Sequence, residues 1–152
     1  MDCVRVWMSA PPVVVQETTT LPDARLTLAE LNIRRLPVVD ANGDLVGLIT
    51  EGDINRISDA PEGDDAVYNE RYVIKQLPVR EFMRRPVLTV TPDTRLREAA
   101  ELMITHHIHG LPVVIGKQVV GVVTVSDLLR WMVDTEELPG AVPVVTHSRG
   151  RD

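Results

Sequence analysis

Aromatic side chains are scarce in this sequence: two tryptophans, two tyrosines and one phenylalanine, 3% of 152 residues. A core must therefore be built from Val, Leu and Ile, and the short Val-rich runs point to buried strands. A single cysteine, Cys3, excludes an intrachain disulfide and a Cys-rich zinc site. No apolar run approaches the ~20 residues that span a bilayer, so no membrane partner is expected. The opening MDCVRVWMSAPPVVV carries an early acid and internal prolines, which makes a poor signal peptide; the expected location is the cytoplasm. Nor is there a basic excess. Sixteen Lys and Arg against 22 Asp and Glu leave a net charge of −6, which argues against binding nucleic acid through its phosphate backbone. No nucleophile–base pair or Gly-rich phosphate loop is present, so no enzyme activity is expected.

What the chain does contain is itself, twice. The hydrophobic fraction of 44% supports one compact domain or two small intertwined halves. Sliding the sequence by 75 residues brings Val4-Arg5 onto Val79-Arg80, Met8 onto Met83, Pro11 onto Pro86 and Leu36-Pro37-Val38-Val39 onto Leu111-Pro112-Val113-Val114. The following turn is one residue shorter in the second copy. At the new offset of 74, Gly47, Thr50, Asp53 and Arg56 meet Gly121, Thr124, Asp127 and Arg130. Regular identities of this kind mark an internal repeat.

Each copy reads as strand, helix, strand, strand, helix, an α/β (α+β) unit. A lead-in segment (Arg5–Pro11; Arg80–Pro86) precedes a short strand near Val13–Val15 or Val87–Val90. In the next helix, Thr20 is a candidate cap with Pro22 in the first turn, and Ala24, Leu28 and Leu31 supply the apolar face. In the second copy Asp93 or Thr94 caps a helix carrying Leu96, Ala99, Ala100, Leu102 and Met103. Asn42-Gly43-Asp44 and Gly116-Lys117-Gln118 turn the two hairpins, whose second strands end at Thr50 and Thr124. One unit has too few strands to bury both faces, so the two are expected to pack as a pseudo-two-fold pair. The boundaries are 4–58 for the first repeat, 59–78 for an acidic linker and connecting helix (Ala66–Leu77), 79–133 for the second repeat and 134–152 for a flexible tail.

Thr50-Glu51-Gly52-Asp53 and Thr124-Val125-Ser126-Asp127 each close a strand and open a helix. A hydroxyl with an acid three residues on is nearly a capping box, which requires no ligand. The same geometry suits a nucleotide: helix N–H groups face a phosphate, and a carboxylate accepts two hydrogen bonds from a ribose diol. Ser126 adds a hydroxyl where the first copy has Gly52 beside Glu51, so the second site is the better equipped. Before each Leu-Pro strand stand Arg34-Arg35 and His109-Gly110, cations at a helix end. His106, His107 and His109 lack zinc-site spacing and are expected to be surface histidines.

Paired units with Leu-Pro-Val-Val, a Gly turn and Gly-x-x-Thr-x-x-Asp resemble cystathionine-β-synthase (CBS) domains, two of which make a Bateman module. The resemblance covers Val4 to Met132, and the acidic loop with Val67-Tyr68-Asn69-Glu70 is similar to the linker of stand-alone bacterial pairs of the acetoin-utilisation type. It implies a regulatory module that requires no cofactor. Such a module binds an adenosine-containing ligand, AMP, ADP or ATP foremost and S-adenosylmethionine or NAD besides, in clefts between the repeats. Asp53 and Asp127 would hold ribose, Thr50, Thr124 and Ser126 phosphate, Arg34 and His109 phosphate, and Val13–Val15 and Val87–Val90, Val15 and Val87 foremost, the adenine, although from the residues alone each of these valines suits the core equally. The resemblance further implies a homodimer that signals to a protein partner. The alternative from the residues alone is a ligand-free structural dimerisation module.

Overall fold

The computed structural model describes residues 2–58 and 76–135. The first repeat contains β1 (Val15–Gln16), α2 (Leu21–Leu31), β2 (Arg35–Val39), β3 (Leu45–Thr50) and α3 (Glu51–Ser58), preceded by a one-turn helix α1 (Val4–Trp7). The second contains a 3₁₀ turn (Val79–Glu81), α4 (Leu96–His106), β4 (Gly110–Ile115), β5 (Gln118–Thr124) and α5 (Val125–Thr135). The expected tail start at 134 is thus overtaken by α5. The expected linker structure over 59–75, and the tail beyond 135, lie outside the described residues.

The two hairpins are built alike. Leu36 faces Ile49 and Val38 faces Gly47 in the first; Leu111 faces Val123 and Val113 faces Gly121 in the second. Each ladder shifts register at the same place, between Val38 and Val39 and between Val113 and Val114. The extra residue of the first copy lies in the turn. There the Asp40 carboxylate accepts hydrogen bonds from the N–H groups of Asn42 (2.9 Å) and Asp44 (3.0 Å), folding a longer loop than Gly116-Lys117.

The leading strand differs between copies. In the first, Val15 and Gln16 pair in parallel with Val38 and Val39, and the Glu17 N–H donates to the Val39 carbonyl at 2.9 Å. In the second, the strand expected over Val87–Val90 shrinks to an isolated bridge between Val90 and Val113. The residue equivalent to Glu17 is Pro92, which has no N–H to extend the ladder.

The expected caps also differ. Thr20 occupies the cap position of α2 without a side-chain bond, and Arg95 rather than Asp93 or Thr94 precedes α4. The Thr94 hydroxyl is turned back to accept from the Thr91 N–H at 3.0 Å. At their C-termini both helices stop in a left-handed residue, Asn32 (φ 51°) and His107 (φ 53°), and the Ile33 and Ile108 N–H groups reach back to the Leu28 and Met103 carbonyls, both at 3.0 Å. This Schellman arrangement turns the chain sharply and delivers Arg34 and His109 to the start of the strands. Leu31, expected on the apolar face of α2, is 51% exposed, and Leu21, Ala24 and Leu28 form that face instead.

The lead-in segments cross over. Val4 lies in the core of the second repeat with Val90, Leu96, Ala99, Leu111 and Val123, while Val79 and Met83 lie in the core of the first with Leu21, Leu28, Leu36 and Ile49. The exchange is reciprocal bond for bond. The Val4 N–H donates to the Thr94 carbonyl (2.9 Å) as Val79 does to Thr19 (2.7 Å). Ser9 pairs with Val122 on the edge of β5 as Arg84 pairs with Leu48 on the edge of β3.

A mid-strand glycine makes each docking feasible. A Cβ on Gly121 would lie 2.7 Å from Met8 Sδ and 2.9 Å from the Ser9 carbonyl, and one on Gly47 would run into Met83 Sδ. The glycine of Gly-x-x-Thr-x-x-Asp is therefore a groove for the other repeat's lead-in. Hairpin also meets hairpin, where the Leu45 N–H donates to the Lys117 carbonyl at 2.9 Å. The result is two interlocked repeats about a pseudo-two-fold.

Candidate functional site

Among the described residues, a pair of clefts between the repeats is related by the same pseudo-symmetry. The first, about 990 Å³, is lined by Thr50, Glu51 and Gly52 at the start of α3, by Pro86-Val87-Leu88 of the second lead-in, and by the turn His106 to Gly110. The second, about 650 Å³, is lined by Thr124 to Asp127 at the start of α5, by Pro11-Pro12-Val13 of the first lead-in, and by the turn Asn32 to Arg35. Each joins a helix N-terminus from one repeat to an apolar, proline-bearing segment of the other.

Of the residues singled out in sequence, Thr124, Ser126, Asp127, His109 and Arg34 line the second cleft, and Thr50, Val87, Arg34 and His109 line the first. Two do not meet a cleft. Val15 is core, 7% exposed and paired with Val38; the chain has turned inward by then, and Val13 takes the cleft position. Asp53, unlike Asp127, is not on the cleft wall.

The two acids explain why. In the first repeat the capping box is complete: the Asp53 N–H donates to Thr50 Oγ1 (3.1 Å), and the Thr50 N–H donates to Asp53 Oδ2 (3.2 Å). The remaining lone pairs are taken by Arg56 and, in a bidentate grip, by Arg84, whose Nε and Nη2 donate at 3.1 and 2.7 Å. Burial pushes the Asp53 carboxyl up, but the hydrogen bonds from Arg84 and Thr50 outweigh it and hold it below its ordinary value; the same pairing raises Arg84. Asp127 is as deeply set, at 3% exposed. Its Oδ2 accepts from the Thr124 N–H (2.8 Å) and hydroxyl (3.2 Å), and its Oδ1 from Arg130 (3.0 Å). The position equivalent to Arg84 is Ser9, too short to reach, so Asp127 keeps a face toward its cleft.

Sequence reasoning missed Arg84 and ranked Arg35 below Arg34. Arg84 is legible only as a break in the repeat, an arginine where the first copy has serine. Arg35 is more buried than Arg34 and lines both clefts, as do Arg34 and His109. It matches Gly110, and the structure gives the reason: a Cβ on Gly110 would lie 2.7 to 2.9 Å from the Arg35 guanidinium. Near the pseudo-dyad there is room for one long side chain, not two. Burial and then the neighbouring Arg34 lower the Arg35 pKa, opposed by the attraction of Asp127.

His106, His107 and His109 are exposed on the rim of the first cleft. Among the described residues no group of three His, Cys, Asp or Glu side chains converges as metal ligands. No helix among them is long and apolar enough to cross a membrane.

The chain matches the CBS domain family over residues 4–59 and again over 79–134. Its fold is similar to the CBS domain pair of protein MJ0100 in complex with 5′-methylthioadenosine and S-adenosyl-L-methionine (TM-score 0.71, 31% identity, 87% of this chain and 96% of that one). A second similar structure is a putative acetoin utilization protein, AcuB, from Vibrio cholerae (0.72, 31%, 88% and 92%). A third is CBSX2 in complex with AMP (0.75, 25%, 88% and 98%). The chain spans 32% and 46% of the length of two Methanocaldococcus jannaschii proteins to which it is 32% and 35% identical, over 86% and 80% of itself. The interlocked repeats, the paired clefts and these matches agree: the chain belongs to the CBS-domain family, as a tandem pair of CBS repeats.

Proposed function

We propose that this CBS pair is a non-catalytic regulatory module whose second cleft binds an adenosine-containing ligand, AMP, ADP or ATP foremost. The observation that carries the reading is the joint presence, in one cleft spanning both repeats, of the buried Asp127 carboxylate, the Ser126 hydroxyl at a helix start, and the Arg34 and Arg35 cations. A carboxylate suits a ribose diol, the helix start and the arginines suit phosphate, and Pro12 and Val13 offer an apolar wall to a base. The AMP carried by CBSX2 and the S-adenosyl-L-methionine and 5′-methylthioadenosine carried by MJ0100 support the class of ligand. S-adenosylmethionine and NAD are the further ligands of that class to be tested.

Ligand bound there touches both repeats and shifts their arrangement only through its differing affinity for two arrangements. The module acts in the cytoplasm and passes that shift to a protein partner. A homodimer is the expected assembly: Leu129, Met132 and Val133 leave one face of α5 apolar and 54%, 50% and 80% exposed. Sedimentation of a monomer at micromolar concentration would count against it.

The test is a thermal-shift titration with AMP, ADP, ATP, S-adenosylmethionine and NAD, repeated on Asp127→Asn. The amide keeps an acceptor for the Thr124 N–H and removes the charge. A rise in melting temperature that this variant abolishes supports the reading. No shift with any of the five, and no heat on titration, refutes it and leaves the dimerisation module, which the closed capping box at Thr50 and Asp53 already favours for the first repeat.

A further inference from the structure

Resting on that reading, we propose that the chain takes one polyphosphorylated nucleoside per pair of repeats. Its nucleoside lies in the second cleft at Asp127, and its phosphate tail crosses Arg34 and Arg35 into the first cleft.

Three observations lead there. First, the clefts are unequal as nucleoside sites. Asp53 is sealed from the first cleft by the bidentate Arg84, with Arg56 on the same oxygen, so the carboxylate equivalent to Asp127 is closed to a ribose there. Asp127 lacks such a grip across the repeats and faces the second cleft.

Second, the clefts are not separate volumes. Arg34, Arg35 and His109 stand on the wall of both. The guanidinium of Arg35 packs over Gly110, where a Cβ would lie 2.7 to 2.9 Å from it. A phosphate tail running from the second cleft into the first therefore stays beside Arg34 and Arg35.

Third, the first cleft is furnished for anions. Besides the shared Arg34 and Arg35 it presents the donor side chains of His106, His107 and His109 and of Arg84, the last already paired with Asp53, against one exposed carboxylate, Glu51. With about 990 Å³ it has room for phosphoryl groups arriving from its neighbour. Two separate nucleotides would bring two multiply charged phosphates onto the same two arginines, an arrangement that like-charge repulsion opposes at short range. One extended tail uses the same cations without that conflict.

The experiment is isothermal titration of the full chain with ATP, ADP, AMP and adenosine in EDTA, so that the nucleotide without metal is the probe. The expected result is one equivalent per chain throughout. ATP and ADP should bind roughly tenfold or more tightly than AMP, as charge-assisted pairs are added, and adenosine most weakly. Arg35→Gln and the exposed Arg34→Gln should each narrow the ratio of ATP to AMP affinity to about twofold, with unchanged adenosine binding confirming a folded site. Two equivalents of AMP at comparable affinity, or ATP no tighter than AMP, overturns the inference while the adenosine-ligand reading stands. Failure of every adenine compound to bind removes both.

Discussion

Arg84→Ala isolates the bond that makes the two halves unequal. Arg84 belongs to the second repeat's lead-in and Asp53 to the first repeat's last helix, so the pair fastens one repeat to the other. Its backbone bonds to Leu48, at 2.8 and 3.0 Å, survive truncation of the side chain, and the lead-in stays docked. What is lost is a bidentate, charge-assisted contact to a carboxylate only 4% exposed. Such bonds contribute about 1.5–3 kcal/mol each when buried. Here the arginine side chain is 56% exposed and screened by water, and Arg56 remains on the same oxygen. The expected loss is therefore about 1–2 kcal/mol at neutral pH.

The pH dependence of that loss has a definite sign. Asp53 titrates below its unfolded value of about 3.9. Its ion pair contributes fully above that value and fades as pH falls through the lower folded pKa. Urea unfolding followed by circular dichroism should show the wild type exceeding Arg84→Ala at pH 7 and 5, with the gap closing below pH 4. Arg84→Lys, a cation without the planar fork, should fall between. An equal gap at pH 7 and 3, or none at pH 7, would refute the reasoning.

Two substitutions at glycines separate structure from binding. Gly121→Ala puts a Cβ against the Ser9 carbonyl as well as Met8 Sδ; backbone cannot swing aside, so about 1–3 kcal/mol of stability should be lost in the same urea assay. Gly110→Ala meets only the far end of Arg35, which can move; stability should change by less than about 1 kcal/mol, while nucleotide affinity by calorimetry drops several-fold because the shared cation is displaced.

What the sequence disclosed was whatever a single copy carries by itself. Leu36-Pro37-Val38-Val39, the hairpin turns and the Thr-x-x-Asp helix starts are local patterns, and the structure places each where its chemistry directs. The offset change from 75 to 74 even located the Asp40 turn. Intertwined halves were one option the composition allowed, but which core each lead-in enters was not legible. Val4 and Val79 are identical in the alignment of the copies, and self-similarity does not say which copy a segment packs against. The same blindness hid Arg84, whose partner lies 31 residues away in the other repeat, and placed Val15 in a cleft although alternation along β1 turns it into the core. Arg35 was undervalued because its equivalent is glycine. That absence is itself the consequence of Arg35 filling the space.

The interlocking bears on how occupancy would be felt. Each lead-in does two things: its first half closes the opposite core, through Val4 or Val79, and its second half walls a cleft, through Pro12-Val13 or Val87-Leu88. In the proposed reading a ligand in the second cleft presses on the first repeat's lead-in and turn and on the second repeat's strand end and helix at once. Those surfaces come together only in the interlocked state, so binding adds to its stability by mass action. The first cleft, with Arg84 already joining Asp53 across the repeats, holds the corresponding surfaces together with no ligand. On the proposed reading, then, one junction is fastened by the protein's own ion pair and the other by the ligand, which would make the second junction the one where a change in nucleotide alters how the repeats sit.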